Sequence, residues 1–327
     1  MKNVLRFISL LSIAFLLMVP TAQAEYPDKP VTLVVGFGVG GSADRMTRSV
    51  SSFLSEKLGQ AVRVVNKKGA GGMLGAKYML KAPADGYTIL ASTFAPYLSN
   101  SIIHNGAKFK IEDFAFINAQ WFDFDLIAVN KDKPYQSLPE LLTAIKEQPG
   151  KISAAVIPGS AGHLMVNLLL KNYDIPPKNL NLVTYNSGGK ARSAVAGGQV
   201  DFIAISAQGC LGLKEFLKPL AVVLDQPSKK WDAPAINDAL KPLNFSVPVL
   251  PGSIRGFAVS TEVKKNHPER FEKLVAAFKE LVEDDGVKKF LKGNQIGAEW
   301  TGPEKTQQML NDNFNIYNEY KGLMSKK

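Results

Sequence analysis

Three glycine- and hydroxyl-rich segments hold the residue types that could handle an anion. The first, Gly36-Phe37-Gly38-Val39-Gly40-Gly41-Ser42-Ala43-Asp44, directly follows the apolar run Val31–Val35. A strand, a glycine turn and a helix start in that order aim backbone N–H groups and the positive end of a helix dipole at one spot. Phe37, Gly38, Gly41 and Ser42 are therefore candidate ligand contacts. Asp44 lies in the helix's first turn, where it could complement the dipole, orient the loop or meet a donor on the ligand. The second segment is Pro158-Gly159-Ser160-Ala161-Gly162-His163, and the third is Tyr185-Asn186-Ser187-Gly188-Gly189. Both follow strand-like runs and precede helical ones. Gly159, Ser160, His163, Tyr185, Ser187 and Gly188 offer hydroxyl, imidazole and N–H groups, and Ser160 also suits a helix N-cap. The helix after the third segment carries Lys190 and Arg192, which read equally well as solvated charges. Gly69-Ala-Gly-Gly72 is a further glycine turn, expected on the same sheet edge as the first.

Catalytic readings of these segments are poorly supported. Gly36 to Gly41 fits the dinucleotide spacing G-x-G-x-x-G, but that fingerprint wants an acidic residue at the end of the next strand to hold a ribose. Here that strand ends Val64-Val65-Asn66-Lys67-Lys68. Pro158 occupies the first glycine of a nucleophile elbow, and no acidic residue beside His163 is evident to orient its ring. An exported serine hydrolase using Ser160 and His163 is the competing enzyme reading. Three scattered histidines and a single cysteine, Cys210, give no metal-ligand spacing and no intrachain disulfide. No catalytic residue, metal or cofactor is expected.

The elements that must place these loops can be read in outline. Lys2 and Arg6, the apolar run Phe7 to Val19 and Ala22-Gln23-Ala24 form a secretory leader, expected to be cleaved after residue 24. Its loss lowers the formal charge from +10 to +8. The basic residues are scattered and lack interleaved aromatics, so no nucleic-acid partner is expected, though a positive field helps to collect small anions. Strands are expected at Val31–Val35, Ala61–Asn66 and Tyr87–Ser92, with helices over Asp44–Leu58 and Leu74–Lys81 between them. A second unit begins near Phe124–Asn130. It continues through strands Lys151–Val156, Leu180–Thr184 and Val200–Ile205 with helices Leu138–Glu147, Ala161–Asn172 and Lys190–Ala196. After a Pro-rich passage come strand Ile254–Ser260 and helices Pro268–Glu283 and Lys305–Tyr320. The alternation predicts an α/β protein of two lobes, each a mostly parallel sheet flanked by helices, with a ligand cleft between them. The expected division is 25–125 for the first lobe, 126–247 for the second and 248–327 returning to the first.

In order and number, these motifs resemble the extracytoplasmic solute-binding proteins of tripartite tricarboxylate transporters, the Bug or TctC family. The resemblance is carried by Tyr26-Pro-Asp-Lys-Pro30, Gly40-Gly-Ser-Ala-Asp44 with Arg48, Leu58-Gly-Gln60 and Asn66-Lys-Lys-Gly-Ala-Gly-Gly72 with Gly75. Ala84-Asp-Gly-Tyr-Thr88, Gly159-Ser160 with His163-Leu164, Val183-Thr-Tyr185, Gly197-Gly-Gln-Val-Asp201, Arg255-Gly256 and Gly302-Pro-Glu304 continue it. It implies a periplasmic Venus-flytrap receptor, acting as a monomer, that closes over an organic carboxylate and delivers it transiently to membrane permease subunits. Signalling to a sensor kinase is an alternative output of the same closed surface. The resemblance adds Ser92, Thr93 and Asp201 to the candidate ligand contacts. Gly36, Val156-Ile157-Pro158, Asn186-Ser187 and Lys190 depart from the family's usual residues, mostly on the second lobe. If Lys190 and Arg192 read a second carboxylate, charge reversal at Lys190 should weaken di- and tricarboxylates more than monocarboxylates in calorimetric titrations.

Overall fold

The structure, a computed structural model, describes residues 25–185 and 187–324. The expected leader and Asn186 lie outside the described residues. The first unit runs β1 (Val31–Val35), α1 (Ser42–Leu58), β2 (Val62–Asn66), α2 (Met73–Lys81), β3 (Thr88–Ala95), α3 (Tyr97–Ile103) and β4 (Phe114–Asp123). A second follows: β5 (Asp125–Asn130), α4 (Leu138–Glu147), β6 (Ile152–Val156), α5 (Ala161–Asn172), β7 (Leu180–Thr184), α6 (Gly188–Ala196), β8 (Phe202–Ser206), β9 (Leu217–Val222) and α7 (Ile236–Leu240). The chain then makes β10 (Ser253–Ser260), α8 (Thr261–Asn266), α9 (Pro268–Glu283), α10 (Asp285–Gly293) and α11 (Pro303–Glu319).

Two five-stranded sheets result, ordered β2-β1-β3-β10-β4 and β7-β6-β8-β5-β9. In the first, β1 pairs in parallel with β2 and β3, whereas β10 is antiparallel to both β3 and β4. The second repeats the scheme, with β5 antiparallel to β8 and β9. Four strands of each sheet thus run one way, while the antiparallel neighbours make both sheets mixed. The reversed strands are the two that begin where the chain passes from one sheet to the other. Entering at the edge where the other strands end, each must run against them.

Both faces of each sheet are covered, which is why the strands read as near-continuous apolar runs. Leu33, Ile89 and Phe257 pack against Met46, Val50 and Leu54 of α1 and Phe271, Leu274 and Phe278 of α9. The opposite face buries Phe94, Phe116 and Ala258 with Met79 and Leu310. The second sheet is sandwiched in the same way. α1 shows why such segments become helices: Ala43, Met46, Thr47, Val50, Leu54 and Leu58 fall on one buried stripe. Gly59, at φ 65°, terminates it in the left-handed conformation that glycine adopts without strain.

The end of the chain departs from the expected return to the first lobe. Tyr317 of α11 is fully buried in the second lobe's core, and Asn167 Nδ2 donates to the Leu323 carbonyl at 2.8 Å. The last turn of α11 therefore bridges the lobes. Strands β4 and β9 and helices α3, α7, α8 and α10 lie where the sequence reading assigned no element.

The contact of α5 with its sheet is unusually close. A Cβ at Gly162 would fall 1.9 Å from the Ala204 carbonyl oxygen, so Gly162→Ala must push the helix off β8. We expect a loss of about 1–3 kcal/mol, the range for overpacking, read as a lower urea midpoint with an unchanged m-value.

Candidate functional site

The carboxyl ends of β1, β2, β6 and β7 open onto one cleft of about 1920 Å³ between the sheets. That exceeds the roughly 300–1,000 Å³ that suits a small ligand, so the lobes stand apart in this structure. The starts of α1, α5 and α6 all line the cleft. At two of them a serine caps the helix: Ser160 Oγ accepts from the His163 N–H at 3.1 Å, and Ser187 Oγ accepts from that of Lys190 at 3.5 Å. At α1 the N-cap is Gly41, and no side chain makes the cap hydrogen bond; Asp44 in the first turn bonds back to Gly40 N instead.

Arg255 of β10 stands beside that uncapped start. Its Nε donates to Ser42 Oγ at 2.8 Å. The side chain lines the cleft, yet the residue is 6% exposed and its Nη1 has no hydrogen-bond partner among the described residues. Trp121 fixes the guanidinium, whose Cζ lies 4.6 Å from the ring centroid. Burial holds the Arg255 pKa below the usual arginine value, against the opposing pull of Asp123. A buried, oriented guanidinium N–H next to free helix N–H groups is a receptor for an anion's oxygens.

The glycine loop is held rigidly enough to serve. Asp44 is 1% exposed, and its carboxylate accepts from Gly40 N at 2.9 Å, Asn66 Nδ2 at 2.8 Å and Arg48 Nε at 3.0 Å. Burial alone would raise its pKa, but the hydrogen bonds from Arg48, Asn66 and Gly40, with the Arg48 charge, hold it below the usual range. Asn66 Nδ2 also donates to the Phe37 carbonyl at 3.0 Å. The neighbouring glycine turn packs directly underneath. A Cβ at Gly75 would sit 2.6 Å from Gly36 Cα, and one at Gly72 would sit 3.1 Å from the Phe37 ring.

Two carboxylates share the cleft with the arginines. Asp123 ends β4, Asp125 begins β5, and both line the cavity. Burial raises the Asp123 pKa, opposed by Arg255, the Gln208 N–H and Arg192. Asp125 is 4% exposed, and burial together with the Asp123 charge pushes its pKa up to about 7, with Arg192 and Arg255 opposing. Arg192 enters from the second lobe. It lies against Gly209, where a Cβ would fall 2.2 Å from the guanidinium carbon, and its Nε is buried with no partner among the described residues.

A profile of the tripartite tricarboxylate transporter family receptor (TctC) matches residues 46–319. The chain belongs to that family. A UPF0065 protein from the tcbD-tcbE intergenic region of Pseudomonas sp. (strain P51) is 30% identical over 226 residues, covering 68% of this chain and 66% of that relative's own length. A TctC solute-binding protein from Polaromonas is 26% identical with a TM-score of 0.70, over 91% of this chain and 99% of that one. An R. palustris protein solved with adipate shares the fold at a TM-score of 0.72 and 24% identity, over 92% of this chain and 98% of that one. Among the described residues no helix is long and apolar enough to cross a membrane.

Of the residues singled out in this TctC-family sequence, Phe37, Gly38, Gly41, Ser42, Thr93, Ser160, Tyr185, Ser187 and Gly188 line the cleft. Lys190 and Arg192 do so too. Five candidates do not. Asp44 is consumed beneath the loop, as above. Ser92 is 5% exposed and covered by the glycine turns, its Oγ 3.1 Å from where a Gly36 Cβ would be. Gly159 turns its carbonyl to Asn100 Nδ2 at 2.6 Å, linking the lobes. His163 is part-buried, its Nδ1 has no partner among the described residues, and only its backbone N–H reaches Ser160 Oγ. The hydroxyl–imidazole bond that a serine hydrolase needs is therefore not formed. Asp201 lies at the opposite edge of the second sheet, before β8, bound to Ser153 N at 2.7 Å and paired with Lys133 at 2.5 Å. Ligands of such sheets bind beyond the carboxyl ends of strands, and Asp201 precedes its strand.

The residues that the sequence reading missed, Trp121, Asp123, Asp125 and the role of Arg255, sit at strand ends on the crossings between lobes. Their available signal was charge inside apolar runs, as in Ile254-Arg255-Gly256-Phe257 and Asp123-Phe124-Asp125-Leu126.

Asp125 sets a pH test. Its folded pKa, about 7, lies above the ordinary value near 4. The folded state therefore binds more protons between those values, and stability falls as pH rises from about 4 to about 7. The gain in melting temperature from Asp125→Asn should be small near pH 4 and grow up to pH 7. A pH-independent gap would contradict the buried, protonated state.

Proposed function

We propose that this chain is a periplasmic receptor that captures a small organic carboxylate between its lobes and hands it to the permease of a tripartite transporter. It acts by binding and has no chemistry of its own. The observation that carries this reading is the open Nη1 of buried Arg255 beside the uncapped start of α1. A carboxylate there would satisfy both, completing the helix cap and pairing a desolvated cation. Membership of a transporter-receptor family supports the reading, as does a relative of the same fold solved with adipate.

Hinge closure supplies the mechanism. In the open form the α1 start and Arg255 belong to one lobe, while Ser160, Tyr185, Ser187 and Arg192 belong to the other. A ligand held by the first set gains contacts to the second only when the lobes approach. It therefore favours the closed state by its differential affinity, and the permease would read that state.

A calorimetric and thermal-shift panel of carboxylates on residues 25–327 tests the proposal. A cognate acid at about 100 times its Kd should add about 2.7 kcal/mol of stability. Arg255→Ala should weaken binding by about 10- to 100-fold, the range for a lost charged hydrogen bond. Full affinity in that variant would remove Arg255 from the site, and a flat panel would sink the receptor reading.

A further inference from the structure

We infer that the cleft is built for a zwitterion, an organic acid with an amino group beside its carboxylate: α1 and Arg255 take the carboxylate, and Asp123 and Asp125 take the ammonium. This rests on the carboxylate-receptor reading and deepens it.

The argument starts from buried ionisable groups left without ion-pair partners. Arg255, Arg192, Asp123 and Asp125 all line one cavity, and each is desolvated enough to need compensation. They influence one another through space. Yet among the described residues none of the four forms an ion pair within 4.0 Å. Asp123 accepts from the Gln208 N–H at 3.2 Å, and Asp125 is hydrogen-bonded by Ser206. An ionised carboxylate has about four acceptor sites, so both retain capacity. A buried charge stays costly until it is paired.

A plain dicarboxylate fits half of this arrangement. One end satisfies Arg255, but a second carboxylate turned toward the crossing meets two aspartates. Turned away, it leaves both of them unpaired. A group carrying a positive charge next to its carboxylate satisfies both halves. Asp123 pairs across the sheet with Ser253, two residues before Arg255 on β10, so the anion and cation subsites adjoin. The hydroxyls of Ser206 and Ser253, 2.9 Å apart, lie along the same wall. The bland role for the aspartates, as counter-ions of the arginines, makes a different prediction: their loss would then affect all acids alike.

The test uses the mature protein and a calorimetric panel of the standard L-amino acids, each matched with the acid of the same skeleton lacking the amine. We expect an amino acid to bind about tenfold or more tightly than its deaminated partner, the scale of one charged hydrogen bond. Asp125→Asn should erase that preference while preserving affinity for the deaminated acid, which also shows the variant to be folded. A second readout is protonic. The groups facing Asp125 are Asp123, Arg192, Arg255, Tyr97, Tyr317 and the buried thiol of Cys210. An ammonium arriving there should ionise Asp125, so binding near neutral pH releases a proton in the wild type and not in Asp125→Asn. Two buffers of different ionisation enthalpy measure that release. Equal affinity for amine-bearing and amine-free acids would overturn the zwitterion site and leave the carboxylate receptor standing. Binding of no acid at all would overturn both.

Discussion

A single residue, Phe124, separates the end of one sheet from the start of the other. The rest of the binding region depends on that short crossing. Asp123 closes β4, Asp125 opens β5, and the return strand β10 packs so closely that a Cβ at Gly252 would fall 2.1 Å from the Asp123 carbonyl oxygen. Two carboxylates are thereby forced into a desolvated seam, and isolated carboxylates do not stay ionised there without help. Arg255 from the first lobe and Arg192 from the second supply the balancing field. The charges at the cleft floor are thus one coupled set, drawn from both sides of the crossing.

The first lobe presents a prepared surface, because its glycine loop has few ways to move. Asp44 and Asn66 hold the loop from below, and Gly36, Gly72 and Gly75 bring the two turns into backbone contact. Fixing these N–H groups before a ligand arrives lowers the entropy that binding must overcome. The second lobe contributes capped helix starts whose first-turn needs are partly met by their own serines. Several links hold the lobes in register: Asn100 to Gly159, Trp121 and Asp123 to Gln208, Gln208 to the Gln295 carbonyl, and the tail of α11 in the second core. Trp121, whose Nε1 donates to Gln208 Oε1 of the second lobe at 2.6 Å, also stacks under Arg255. Lobe position and the Arg255 guanidinium are therefore joined through one ring.

The local features were legible where one short segment carries its own physics. A β-run, a glycine turn and a helix start announce a candidate anion loop, because backbone geometry and dipole follow from neighbouring residues alone. Hence Phe37, Gly38, Gly41, Ser42, Ser160, Tyr185, Ser187 and Gly188 all reach the cleft. Asp44 was legible as a loop residue, but whether it faced ligand or loop turned on Asn66, 22 residues away. Asp201 failed because its motif says nothing about which end of the strand faces the cleft. Strands β4 and β9 escaped notice because their neighbours in the sheets are distant in sequence: β10 pairs β4, and β5 pairs β9.

By itself the sequence determined the alternation of strand and helix, the two α/β units and the glycine and serine turns that line the cleft. These depend on periodicity and backbone chemistry within a few residues. Only the tertiary structure decided that Arg255, Trp121, Asp123 and Asp125 meet Arg192 at the cleft floor. Those groups come from three strands and a helix, and they become neighbours only where two sheets place their strand ends against each other. Their charges matter because the same assembly removes water from around them, and desolvation is a property of the folded whole.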